Sequence, residues 1–126
     1  MAEKSRILVI DDEPDIADFL TTLFEDHGYE ALSAFDGDRG LELARKHRPD
    51  LITLDITMPG RSGLTIFKEL RSDAELARIP VYILSGVQEF RQLLFGRSPV
   101  PPEGFMEKPI DAETLIRDIA AILKNP

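Results

Sequence analysis

The sequence predicts an α/β domain built on a five-stranded parallel sheet with helices on both faces. Short runs of branched apolar residues recur along the chain, as at Ile7-Leu8-Val9-Ile10, Leu51-Ile52-Thr53-Leu54 and Val81-Tyr82-Ile83-Leu84. Runs of this kind read as strands buried on both faces. Helical patterns separate them, and right-handed crossovers between parallel strands place helices on the two faces of such a sheet.

The elements follow in order. The first strand is bounded by Arg6 and Asp11, and Ile16, Phe19, Leu20, Leu23 and Phe24 then fall on one face of a helix. Pro14 suits the early turn of that helix, and Gly28 its left-handed C-terminal cap. Residues 30–35 form a weaker strand candidate. From Gly37 to His47 the pattern is helical, with Leu41 and Ala44 inward, Arg45 and Lys46 near the negative end, and Pro49 past the stop. After the third strand, a Met58-Pro59-Gly60 turn leads to a helix carrying Leu64, Phe67 and Leu70. Pro80 opens the fourth strand. Phe90, Leu93 and Leu94 predict a short fourth helix, and Phe105-Met106 a brief fifth strand. Leu115, Ile116, Ile119, Ala120 and Leu123 mark an amphipathic last helix with Asp111 as its N-cap.

A length of 126 residues suits one compact domain, 1–126, and no segment reads as an interdomain linker. With no cysteine, thiol nucleophiles, disulfides and zinc-thiolate sites are excluded. No apolar run reaches bilayer length and none precedes the first strand as a signal peptide would, so a soluble cytoplasmic protein with no membrane association is expected. The 23 acidic residues against 15 basic ones, net −8, disfavour direct binding of a nucleic-acid backbone.

In a parallel α/β sheet, functional residues gather at the carboxyl ends of the strands, near the point where strand order reverses. The residues found there are Asp11-Asp12 after the first strand, Asp55 after the third, Ser85 after the fourth and Lys108 after the fifth. Any one loop aspartate is unremarkable. Three together repel one another unless a cation resides among them, and a hard ion such as Mg²⁺ takes oxygen ligands of this kind. The Asp11-Asp12-Glu13-Pro14 run repels a bare phosphate, so a resident nucleotide or flavin is not expected. Lys108 at the end of an apolar strand is placed to meet a phosphoryl oxygen or a carboxylate, and a cis bond to Pro109 would fix its direction. Ser85 reads either as a turn residue or as a donor to a phosphoryl oxygen.

Taken in order, Asp11-Asp12, Asp55 with Met58-Pro59-Gly60, Ser85-Gly86 and Lys108-Pro109 resemble response-regulator receiver domains of two-component signal transduction, the chemotaxis regulators among them. The likeness runs from Ile7 to about Leu123. It implies a doubly wound, flavodoxin-like fold with strand order 2-1-3-4-5 and five helices. It also implies that Asp55 is a phosphoacceptor, and that Asp11, Asp12, Asp55 and the Thr57 backbone carbonyl hold Mg²⁺ or Mn²⁺. Lys108 would pair with the phosphoryl group, and Ser85 and Phe105 would be the switch residues. A plain core role for Phe105 is an equal reading of the residues alone. The implied partners are a sensor histidine kinase or a histidine phosphotransfer protein, and an output domain or partner protein, with a homodimer as a further option. Such a domain assists its own phosphorylation and dephosphorylation without turning over an external substrate.

The chain departs from the family between the fourth strand and the fifth. Pro99, Pro101 and Pro102 cannot continue a helix, so the fourth helix is expected to be short or displaced. This leaves the acid site alone but alters the face on which the family's output partners and dimers form. Two rivals remain. In Leu54-Asp55-Ile56-Thr57, Thr57 stands where an aspartate-nucleophile phosphatase of the haloacid-dehalogenase type needs its second aspartate. A receiver-like interaction module that takes no phosphate would usually lack the acids or the lysine. The resemblance also makes Thr57 and Val87 the positions that tune phosphoryl lifetime, and neither carries a carboxylate or amide to orient water. Moderate-to-slow self-dephosphorylation is therefore expected. Following the decay of the phosphorylated protein checks this, and loss within seconds would contradict it.

Overall fold

The computed structural model describes residues 4–56, 63–85 and 102–124. Among them are strands β1 (Arg6–Ile10), β2 (Glu30–Ala34), β3 (Leu51–Asp55), β4 (Val81–Ser85) and β5 (Gly104–Glu107). Helices α1 (Pro14–Asp26), α2 (Gly37–His47), α3 (Gly63–Ser72) and α4 (Ala112–Lys124) accompany them. Every neighbouring pair of strands is parallel, in the order β2-β1-β3-β4-β5. The expected doubly wound, flavodoxin-like sheet is therefore present. The expected short helix at Phe90, Leu93 and Leu94 lies outside the described residues, as do the Met58-Pro59-Gly60 turn and the prolines at 99 and 101.

Local chemistry sets the helix ends. Pro14 stands at the start of α1, where its missing N–H costs nothing. The chain leaves α1 through Gly28 at φ 89°, a left-handed geometry that glycine adopts without strain. The Asp36 side chain caps α2 by accepting from Arg39 N–H at 2.7 Å. Arg45, Lys46 and His47 fill its last turn, where the helix dipole favours cations. Asp111 Oδ1 accepts from Thr114 N–H at 3.4 Å at the head of α4, as expected of its cap.

Strand parity divides the core in two. Leu8, Ile10, Ile52, Leu54, Val81 and Ile83 face α2 and α3, whose Leu41, Ala44, Ile66, Phe67 and Leu70 are buried against them. Ile7, Val9, Leu51, Tyr82 and Leu84 face α1 and α4, where Ala17, Leu20, Phe24, Leu115 and Ile119 close the second layer. Burying a Leu, Ile or Phe of this kind stabilises by about 2 kcal/mol. Two findings correct the sequence reading. Phe19, placed on the inward face of α1 by its spacing, is 45% exposed. Its neighbours Ala17 and Leu20 take the contact with the sheet. The turn between α3 and β4 buries Leu76 and Ile79 under the α2–α3 face, although no periodic pattern marks them.

One core residue is out of keeping with its surroundings. Thr53, in the middle of β3, is buried between Val9 and Tyr82, and its hydroxyl has no hydrogen-bond partner. An unsatisfied buried hydroxyl costs on the order of 1–3 kcal/mol. Thr53→Val, which keeps the shape, should therefore raise the chemical-denaturation midpoint, by about 1 kcal/mol in unfolding free energy. A lower midpoint would show that the hydroxyl has a partner in solution.

Candidate functional site

The strand order reverses between β1 and β3, since the chain winds outward to β2 from one and to β4 and β5 from the other. Their carboxyl ends are therefore the edge at which a functional site is expected, and the predicted residues stand along it. Asp11 follows β1 directly and is tied to the neighbouring strand by its N–H, which donates to Ala34 O at 3.0 Å. Asp55 ends β3 and Ser85 ends β4; both are buried. Lys108 follows β5, and its backbone N–H donates to Ser85 O at 2.8 Å. The Lys108–Pro109 peptide is cis, as the sequence had left open.

The side chains converge. One carboxylate oxygen from each of Asp11, Asp12 and Asp55 can be chosen so that all lie within 4.8 Å of one another. Lys108 Nζ stands 3.5 Å from Asp55 Oδ2 and 3.9 Å from Asp11 Oδ2. Asp11 Oδ1 accepts the Glu13 N–H at 2.9 Å, whereas Asp11 Oδ2 is buried and accepts no hydrogen bond. That orphaned oxygen, with two more carboxylates beside it, is a donor set that could take a hard divalent cation. Thr57, the other predicted contributor, lies outside the described residues.

Electrostatics make the strain visible. Burial pushes the Asp11 carboxyl up to about 6, with the Asp55 charge adding to the effect and the Glu13 N–H and Lys108 opposing it. Phe105 is half-buried and packs against the α2–α3 layer, which fits either reading of it; its switch role stays an expectation.

Sequence reasoning passed over one residue of the site. A Cβ on Gly63, the first residue of α3, would stand 2.6 Å from the Asp55 carbonyl oxygen. Its own N–H donates to Ile56 O at 3.3 Å. Only glycine lets α3 begin this close to the peptide of the acid. A lone glycine just ahead of a helical pattern was the available signal.

A five-stranded doubly wound sheet with three acids and a lysine at its carboxyl edge defines a class of signalling domain. The chain belongs to the response regulator receiver domain family, which it matches over residues 7–120. It is 37% identical to protein PilH of Pseudomonas aeruginosa, over 94% of this chain and 98% of that one. It is 35% identical over 95% of its length to the DNA-binding dual master transcriptional regulator RpaA of Synechocystis, but spans only 49% of that protein. Among solved structures, chemotaxis protein CheY4 of Vibrio cholerae superposes with a TM-score of 0.85 at 27% identity, covering 95% and 99% of the two chains. A sensor protein from Polaromonas gives 0.89 at 26% identity, covering 98% of each.

The raised Asp11 pKa fixes a sign. The folded protein holds this proton more tightly than the unfolded chain, whose aspartates titrate near 4. Its contribution is therefore fully present below about pH 4 and is lost as the pH rises through about 6. Without divalent cations, Asp11→Asn should flatten the fall in melting temperature across that window. Parallel profiles for the two proteins would contradict this.

Proposed function

We propose that this chain, as a single receiver domain over residues 1–126, accepts a phosphoryl group on Asp55. The observation that carries the reading is the buried Asp55 carboxylate with the Lys108 ammonium 3.5 Å away and Asp11 and Asp12 beside it. A carboxylate so placed is a poorly hydrated nucleophile with a cation beside it.

In the proposed reaction an Asp55 oxygen attacks the phosphorus of a phosphohistidine on a sensor kinase or phosphotransfer protein. The O–P bond forms as the P–N bond breaks, and the electron pair stays with the departing imidazole. The product is an acyl phosphate. Lys108 faces the growing charge on the phosphoryl oxygens, and the Ser85 hydroxyl is placed at the end of β4 to donate to one of them. Asp11, Asp12, Asp55 and the carbonyl of Thr57 would hold Mg²⁺ or Mn²⁺. Such an ion supplies charge neutralisation for the acids and for the transferring group.

Ser85 and Phe105 then form the proposed switch, acting through β4 and β5 on the surface read by an output domain or partner. Phosphorylation shifts that surface only by preferring one of its two states. The domain turns over no external substrate. Its acidic balance fits protein partners better than a nucleic-acid backbone, and a cytoplasmic setting fits the reaction. Among the described residues no helix is long and apolar enough to cross a membrane.

Intact-mass spectrometry after incubation with acetyl phosphate and Mg²⁺ tests the reading. A single phosphoryl adduct should form, should require Mg²⁺ and should vanish in Asp55→Ala. Lys108→Ala should slow its formation by on the order of a hundredfold, as loss of a charge-stabilising donor does. An adduct that persists in Asp55→Ala would move the acceptor elsewhere. A folded protein that takes no phosphoryl group would be an interaction module instead.

A further inference from the structure

Lys108 reaches the acids from the end of β5, a short strand paired on one side to β4 among the described residues. Its aim therefore depends on how the start of β5 is held. In the register of that pair Tyr82 lies opposite Gly104, and Ser85 opposite Glu107. Tyr82 is the one aromatic residue of its strand, and it is fully buried. Its ring lies over Gly104 so closely that a Cβ there would collide with Tyr82 Cδ2 and Cε2. The far end of the ring is also fixed, since the Tyr82 hydroxyl donates to Asp118 Oδ2 on α4 at 2.6 Å.

The opposite side of the same point is tied as well. Glu103 Oε1 accepts from Val81 N–H at 2.8 Å and from Arg71 Nη2 at 2.7 Å, and Glu103 N–H donates to Val81 O at 3.1 Å. Arg71 is itself held by Ile79 O at 3.2 Å. The base of β5 is thus tied to α3 through Arg71 and Glu103, and lies under a β4 ring that α4 holds through Asp118. From Gly104 the extended strand rises about 3.3 Å per residue and pairs with β4 up to the Lys108 N–H on Ser85 O, so the seating of its base sets the register that carries Lys108.

We propose that Tyr82 is a positioning residue: its ring on Gly104, anchored by Asp118, sets β5 against β4 and thereby sets Lys108 against Asp55. The ion pair alone supports this placement. Only the use to which Lys108 is put rests on the function proposed above. Burial and the Asp118 acceptor also hold the Tyr82 hydroxyl well above the ordinary tyrosine range, so it stays a neutral donor at working pH.

The test reads Lys108 directly. An amine-acylating reagent is applied to the folded protein, and the labelling rate of Lys108 is measured by peptide mass spectrometry, with Lys46, Lys68 and Lys124 as internal references. In Tyr82→Leu and in Gly104→Ala, Lys108 should label faster by roughly threefold or more, as expected on loosening a partly exposed ion pair. Tyr82→Phe, which keeps the ring on Gly104 but loses the Asp118 anchor, should label faster than wild type by less than Tyr82→Leu does. The double variant Tyr82→Leu/Gly104→Ala should fall back toward wild type, because removing the ring makes room for the new methyl group. A merely structural role would lower melting temperature in the single variants while leaving the Lys108 ratio unchanged, and that result overturns the proposal. Gly104→Ala, at a half-buried edge position, decides the matter if Tyr82→Leu does not fold. Acetyl phosphate reactivity is measured in parallel and should fall by on the order of tenfold in Gly104→Ala, through displacement of Lys108. A wild-type protein that takes no phosphoryl group would sink the proposed function and leave the labelling result standing.

Discussion

Asp11 and Asp55 sit at the ends of adjacent strands, both buried, with Lys108 Nζ within 4 Å of each. Among the described residues two carboxylates face one ammonium, and Asp12 adds a third acid at the rim. The rest of the molecule can be understood as what holds this excess of charge in place. Parallel strands bring the acids side by side because β1 and β3 are neighbours in space while distant in sequence. The aliphatic layers below supply the stability from which the repulsion is subtracted. Lys108 arrives from β5, whose base is tied to α3 through Arg71 and Glu103 and lies under the Tyr82 ring of β4.

Much of this was legible in the sequence because the fold uses strong local signals. Branched apolar runs located β1, β3 and β4, and the polar residue ending each run located the acids and Ser85. Pro14 and the cap at Gly28 bounded α1, and the stop at Pro49 bounded the end of α2, nearly to the residue. The failures have a common cause, which is that periodicity describes a helix in isolation. The spacing of Phe19 satisfies an inward face, but Ala17, Leu20 and Phe24 take the contact with the sheet and leave the Phe19 ring outside. Leu76 and Ile79 lie in a turn with no period to betray them.

Other features needed partners that no sequence pattern names. Asp118 falls three residues after Leu115 and one before Ile119, on the inward side of α4, where an acid reads as a flaw in an apolar stripe. It is explained only by a tyrosine hydroxyl thirty-six residues earlier in the chain. Arg71 and Glu103 look like ordinary surface charges, yet the arginine is largely covered, stacks on Phe67 and reaches across to the start of β5. Gly63 matters because of the peptide it approaches at Asp55 and Ile56, several residues earlier in the chain. Distance along the chain, not weakness of the interaction, hid each of them.

The pairing of β1 with β3 has a consequence for the order of assembly. Arg6 N–H donates to Asp50 Oδ2 across a separation of forty-four residues, and the ladder above it joins Ile7 to Leu51. Closing so long a loop is an entropic cost met only when the intervening helices and β2 have begun to pack. Until then Asp11 and Asp55 are far apart and their charges hardly interact. Their repulsion therefore enters late, after most of the apolar surface is covered. It bears on how long the folded state lasts more than on how quickly it is reached.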